Sequence, residues 1–411
     1  MKKALLVVVL AVFATVSAVF AQEQAKKKAD STVNALGGKT YYVATDGSDS
    51  NPGTMSAPFK TIRKGMSCLH SSDTLYIRSG EYNELIDTDM PFDNSTATAW
   101  SQAITIAAYN GEQVVIKPTS GNFVFLFASP PYSYIILDGL IIDAANTDID
   151  AVKITYGSDP RQASHHIWIR NSTIRNAASQ GILTTGGGVP GAGGYNIFSN
   201  LDVYNNGFRA TGMTRAHYHG LYISSDNNTI EYSRVHDNSG WGIHIYSEDY
   251  PISNNTVRYN LVYNNGKGDN IGHPGIGLYS GPGHQAYGNI VWGNRYGISL
   301  NYGAANCVVH DNTIYKNTGA QGDGVPIFDN DGNTTKSNNT LISKDTPDVM
   351  PSIPGTGGGN PPQNQAPQVP PSLPAGFNLL FFEPINVPGE ICRRLSQKRI
   401  VFSNPIRYIS I

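Results

Sequence analysis

The chain has 411 residues, and a charged content of only 15% beside 43 glycines and 23 tyrosines excludes a helical bundle in favour of a turn-rich, all-β protein. A formal net charge of −2 leaves no basic excess for nucleic-acid binding and no acidic bulk for a disordered tail. Length alone would allow two or three average domains, but a solenoid can use all of it as one unit.

Residues 1–21 read as a secretory signal peptide. Lys2 and Lys3 precede an apolar run from Ala4 to Phe20, and Val19-Phe20-Ala21 before Gln22 is a small-residue cleavage pattern. The run is short for a membrane span and no cytoplasmic-type flank follows it. A mature chain without a transmembrane segment is therefore expected, exported to the periplasm, the cell surface or the medium, and monomeric. Residues 22–40 read as a flexible lead-in. Cys68, Cys307 and Cys392 are too few and too far apart for a disulfide framework, so each is expected to be a small packing residue.

Tyr41 to Met66 is the expected N-terminal cap. Such a cover is needed because bare strand edges invite aggregation. Thr74 to Gly80, then Ile104-Thr-Ile106 with Val114-Val-Ile116, then Leu137 to Asp143 with Ala151-Val-Lys-Ile154, read as early rungs of a repeating coil.

From Asn171 onward the repeat becomes explicit. One polar column comprises Asn171, Asn200, Ser233, Asn260, Asn289 and Asn312, with intervals of 29, 33, 27, 29 and 23 residues. A second lies five residues further on, at Asn176, Asn205, Asn238, Asn265, Asn294 and Asn317. Between them run an aliphatic column (Ile174, Val203, Val235, Val262, Val291, Ile314) and a mostly aromatic one (Tyr204, His236, Tyr263, Trp292, Tyr315). A glycine then opens a short alternating strand at Gly181, Gly220, Gly242, Gly275, Gly297 and Gly324. Intervals this variable suit a coil of parallel strands stacked about 4.8 Å apart, from which insertions escape sideways. Stacked asparagine amides would satisfy one another and the backbone at a buried turn. A propeller would need blades of about 40 residues and antiparallel hairpins, which the sequence does not show.

The expected fold is thus a right-handed parallel β-helix, a single-stranded solenoid with an N-terminal cap, over residues 41–343. The cap segment Tyr41-Tyr-Val-Ala-Thr-Asp-Gly-Ser-Asp-Ser-Asn-Pro-Gly-Thr54 with Ala57-Pro-Phe-Lys-Thr-Ile62 resembles the opening of bacterial secreted right-handed β-helix proteins. That group is similar to pectate lyases, including family 9 polysaccharide lyases, and the resemblance runs from about Tyr41 to Ser343. It implies calcium held by clustered aspartates and a lysine base on the groove. No such aspartate cluster is found here, and Lys153 lies two rungs from Tyr222. Beyond the coil, residues 344–376 read as a Pro/Gly-rich linker and 377–411 as an unassigned tail, with disorder as one reading of it.

Alternation sends the aliphatic residues of each Gly-led strand inward and their neighbours outward. One outward column reads Lys153, Leu183, Tyr222, His244, Gly277, Ser299; the other reads Thr155, Thr185, Ser224, Tyr246, Tyr279, Asn301. Aromatic rings beside hydrogen-bonding groups suit a sugar-binding groove. The long loops precede Gly220 and Gly275, so a cleft is expected around Trp241, His244 and Tyr246. The first loop carries Arg209, Arg215, His217 and His219, the second Lys267, Asp269 and His273. The partner that fits is an acidic polysaccharide.

In a polysaccharide lyase a base removes the proton beside a uronate carboxylate, a cation neutralises that carboxylate, and an acid protonates the leaving oxygen. His219 or His244 as base, Arg215 as carboxylate partner and Tyr222 or Tyr246 as acid satisfy those roles. His217, Trp241, Tyr279, Lys267, His273, Asn301 and Lys153 would bind substrate. A C5-epimerase needs the same abstraction and cannot be separated from a lyase here. A hydrolase needs paired carboxylates, and only Glu248 and Asp249 lie close. The different-class alternative is a non-catalytic glycan-binding protein or surface spacer. No metal ligand is assigned. Calcium is carried as a possible cofactor, on the oxygen donors Asp46, Asp49 and Asn51 and Asp329, Asn330 and Asp331, clusters that otherwise read as turns.

Overall fold

In the computed structural model the described residues are 38–87, 97–128, 131–209, 217–267, 273–317 and 326–342, with two short strands, Arg399–Val401 and Tyr408–Ser410. These two strands pair antiparallel in a unit of their own. Arg215, Asp269, Gly324 and the signal peptide lie outside the described residues.

Within Thr40–Ser372, from Ile104–Ala108 onward every third strand belongs to the same sheet, the signature of a coil that returns to each face once per turn. Parallel sheets of 11, 10 and 8 strands result. The first runs from Thr40–Val43 to Thr334–Ser337, the second from Gly80–Tyr82 to Thr340–Ile342, and the third from Phe125–Phe127 to Ile327–Asp329. This unit is a right-handed parallel β-helix, and all three of its sheets are parallel among the described residues. No helix among the described residues is long and apolar enough to cross a membrane.

Register fixes the core. Ile174, Val203, Val235, Val262, Val291 and Ile314 pair rung to rung, and all six are fully buried. Ile182, Leu221, Ile243, Ile276 and Ile298 do the same on the third sheet. Each such side chain contributes about 1.5–3 kcal/mol of burial. Outside the second sheet, the rings of Tyr204, His236, Tyr263, Trp292 and Tyr315 stack with centroids 5.2, 4.7, 4.3 and 5.7 Å apart. This is the aromatic column anticipated from the sequence.

The asparagine columns need a one-residue correction in their first two rungs. The buried ladder is Asn206, Asn238, Asn265, Asn294 and Asn317, each amide donating to the next oxygen at 2.9–3.2 Å. Asn176 and Asn205 sit one position earlier, in the left-handed backbone region, where they form a separate outer pair with Asp143. Likewise Asn171 and Asn200 adopt positive φ and bond to each other and to Asp138, while Ser172 and Leu201 occupy the inward position beside Ser233 and Asn260. Asparagine tolerates the left-handed conformation, so adjacent corner positions both favour it.

The Gly-led strands follow from the same ladder. A Cβ on Gly242 would lie 2.6 Å from the Gly275 carbonyl oxygen and 2.8 Å from Asn265 Nδ2. The glycine admits the asparagine beneath it, which couples the two columns.

The cap is shorter than its sequence suggests. Thr40–Val43 pairs parallel with Thr74–Ile77 and is already the first rung. The cover is the helix Ile62–Met66, N-capped by the Thr61 side chain, whose Ile62 and Met66 join Val43, Leu69 and Leu75 in the core.

Candidate functional site

On the third sheet the outward register runs Leu126, Lys153, Leu183, Tyr222, His244, Gly277, Ser299, Phe328. Tyr222 stacks on His244 from the rung before, with centroids 5.2 Å apart and planes at 14°. From the other side Trp241 lies 3.9 Å from the His244 ring at 29°. Trp241 can reach there only because the next residue in the column is glycine: a Cβ on Gly277 would sit 2.2 Å from the indole Cζ3. Tyr246 stacks on His244 at 5.3 Å. Tyr279 meets both Trp241 and His244 edge-on and binds Ser299 through its hydroxyl at 2.8 Å. Tyr302, 65% exposed, leans on Tyr246 and Tyr279 and was not anticipated, because it follows the strand in a positive-φ turn.

A second column enters from the turn just before each strand: Asp150, Gln180, His219, Trp241. Each of the first three side chains accepts the backbone N–H of the next rung. Asp150 Oδ1 takes Gln180 N–H, Gln180 Oε1 takes His219 N–H, and His219 Nδ1 takes Trp241 N–H at 3.1 Å. His219 Nε2 then meets His244 Nδ1 at 3.1 Å. His219 is 3% and His244 8% exposed, and His244 Nε2 has no hydrogen-bond partner among the described residues. Burial holds both histidines well below their ordinary pKa; His273 and His217 push His244 further down, and His244, His273 and His217 do so for His219. Burial raises the phenols of Tyr222, Tyr246 and Tyr279, with Glu248 adding to the first two, so all three are neutral donors near pH 7.

Asp150 is fully buried, and its Oδ2 has no partner among the described residues. Burial pushes its carboxyl up to about 6, against the opposing Gln180 N–H and the Lys153 charge. A carboxyl raised in the fold stabilises it while protonated, and that contribution is lost as pH rises through the raised value. Asp150→Asn is therefore expected to stabilise the protein by about 1–2 kcal/mol near pH 8 and hardly at all near pH 4. Urea midpoints across that range check it, and a pH-independent change would defeat the assignment.

The structure brings together Tyr222, His219, His244, Trp241, Tyr246 and Tyr279, with His273 stacked 5.9 Å from Trp241. The other candidates among the described residues are placed differently. Lys153 stands three rungs from His244, its ammonium over Phe123. Asn301 is committed to Asn330 Nδ2 and Tyr302 N–H. Lys267 is exposed; His217, also exposed, lends its carbonyl to Gln180 and lies near enough for its charge to bear on His219 and His244. Arg209 clamps the carbonyls of Ala144, Thr147 and Asn176, a structural task. His219 itself has both ring nitrogens engaged, which removes it as a direct base in this arrangement.

Among the described residues no group of three or more His, Cys, Asp or Glu is placed to hold a metal ion. Asp49 spends its oxygens on Lys60 N–H, Thr61 N–H and the Thr61 hydroxyl. Asp329 does so on Gly332, Thr334 and Lys336, and Asp331 on Gly303 and Ala304.

A family model described as Pel9A-like, right handed beta helix region, matches residues 41–339. Pectate lyase PEL9 of Emericella nidulans is 26% identical over 230 residues, 53% of each chain. This chain thus spans about half the length of that curated relative. Of solved structures, pectate lyase Pel9A aligns with a TM-score of 0.54 at 18% identity, covering 74% of this chain and 77% of its own. Alginate lyase from Paenibacillus sp. str. FPU-7 aligns at 0.50 and 14%, covering 74% and 95%. Those two likenesses speak to the fold. With three parallel sheets and a family match across almost every rung, the chain belongs to the Pel9A-like right-handed β-helix family.

Proposed function

We propose that this chain is a secreted carbohydrate-active protein that abstracts the proton beside the carboxylate of a uronate-containing polysaccharide, as a lyase or a C5-epimerase. The observation that carries this reading is His244: a buried imidazole on the outward face, ringed by Tyr222, Trp241, Tyr246 and Tyr279, with one nitrogen unpartnered among the described residues. Aromatic rings offer faces to the CH surfaces of sugars, and the polar atoms among them fix orientation. The name of the curated relative, a pectate lyase, supports the substrate class.

The roles follow from the groups present. Tyr222 and Tyr246, neutral through burial and the Glu248 charge, are suited to protonate the leaving oxygen. Arg215 is the carboxylate partner in this reading. With His219 fully engaged, the base falls to His217 or His273, both close enough for their charge to disfavour protonation of His244. Glu248 and Asp249 are exposed beyond the strand end, which offers no buried acid for hydrolysis.

Incubation with a panel of uronate polysaccharides in deuterated buffer tests the proposal. A lyase gives an ultraviolet-absorbing unsaturated uronate; an epimerase gives deuterium at C5 without chain cleavage. His244→Ala is expected to lower either activity by about 100-fold or more. Retardation in glycan gels with neither product would instead establish a binding protein and overturn the catalytic reading.

A further inference from the structure

We infer that His244 presents an Nε2–H donor, and not a free lone pair, to the occupant of the site, and that His219 fixes this by relaying the direction of the Trp241 backbone N–H. A backbone N–H can only donate. Its bond to His219 Nδ1 therefore requires a lone pair there, and a neutral imidazole then carries its single proton on Nε2. That proton points at His244 Nδ1, 3.1 Å away, which must accept. The remaining proton of His244 is on Nε2. Protonating either ring would set two N–H groups against each other, at Trp241 or between the rings.

The same arrangement explains why an unpartnered atom is tolerated. A buried donor without an acceptor costs about 1–3 kcal/mol, and His244 Nε2 is such a donor among the described residues. An acceptor oxygen brought by a ligand relieves it. Neutral imidazole is a known electrophile where charge develops on a neighbouring oxygen. Given the uronate reading above, the ligand atom is a carboxylate oxygen of the sugar, whose negative charge grows as the adjacent proton leaves. His244 then stabilises that charge, and His219 is a positioning residue. The tautomer assignment does not depend on the uronate reading.

Gln180 shows which substitution preserves the relay. One rung below, its Oε1 accepts His219 N–H while its Nε2 donates to the His217 carbonyl. His219→Gln can do the same between Trp241 N–H and His244 Nδ1; His219→Phe cannot. The groups facing His244 are His219, Tyr222, Trp241, Tyr246 and Tyr279, with His217 and His273 near enough to act through charge.

Histidine-labelled full chain, observed through two-bond hydrogen–nitrogen correlations, tests the assignment. Both His219 and His244 are expected in the Nε2–H form, with protonation displaced well below the ordinary histidine range by burial. His219→Gln keeps the His244 signature, whereas His219→Phe lets His244 populate the Nδ1–H form and titrate nearer an ordinary histidine. Binding of uronate oligosaccharides should weaken about tenfold in His219→Phe and stay within about threefold in His219→Gln. Wild-type His244 in the Nδ1–H form, or titrating near neutrality, overturns the inference. If the tautomers are found but no variant binds or converts uronates, the carboxylate role and the functional reading fail together while the relay stands.

Discussion

Asn265→Leu is expected to lower the unfolding free energy by about 3–5 kcal/mol, although the side chain barely changes in size. Asn265 Oδ1 accepts both the backbone and side-chain N–H of Asn238, and its amide donates to the carbonyls of Val235 and Tyr263 and to Asn294. Leucine would leave the buried Asn238 backbone N–H without its acceptor and take one bond each from the Asn238 amide, the Asn294 amide oxygen and the carbonyls of Val235 and Tyr263. The comparison is Asn205→Ala, which removes one exposed bond, to Asn176, from a left-handed corner and should cost about 1 kcal/mol. Urea denaturation of both variants measures the contrast. Equal costs at the two positions would mean that the inner ladder contributes no more than the outer one.

The second large effect is expected at Gly277→Val. Valine suits a strand, so the backbone should tolerate it. Its Cβ, however, claims the space of the Trp241 indole, which is held 3.9 Å from His244. Displacing that ring opens one face of His244 to water and disturbs the edge contact with Tyr279. Activity on the uronate substrate should fall about 100-fold, equivalent to about 2.7 kcal/mol. Tryptophan fluorescence should shift to longer wavelength while far-ultraviolet dichroism is unchanged. An unshifted spectrum with full activity would show that Trp241 does not organise the site.

Much of this was legible in the sequence because a strand's alternation leaves only two choices for each side chain. Once Ile243 and Ile245 were placed inward, His244 had to face out, and the register carried Tyr222, Gly277 and Ser299 with it. The asparagines were harder. Asn176 and Asn206 both lie near a corner, one in a left-handed turn and one in the inner ladder, and a spacing of five residues fits either. The rest of the site was out of reach for another reason. Trp241 reaching over Gly277, Tyr302 returning from beyond its strand, and His219 engaged at both nitrogens depend on side-chain direction, which columns of residue types do not encode. The loops expected to flank the cleft illustrate the limit: Arg209, read as part of a charged rim, instead ties down three carbonyls.

The coupling of asparagine to glycine between successive rungs has a consequence for how such a surface can change over generations. Any gain or loss of less than a whole turn inside a strand or a ladder corner, as opposed to a loop between rungs, would set a Cβ against an amide or turn the aliphatic stripe to water. A complete turn can be duplicated or deleted while each surviving neighbour contact is remade in kind. Groups on the outer face are therefore respaced only in whole steps of about 4.8 Å, and a stacked pair on adjacent rungs, such as Tyr222 and His244, is either kept intact or parted at a stroke.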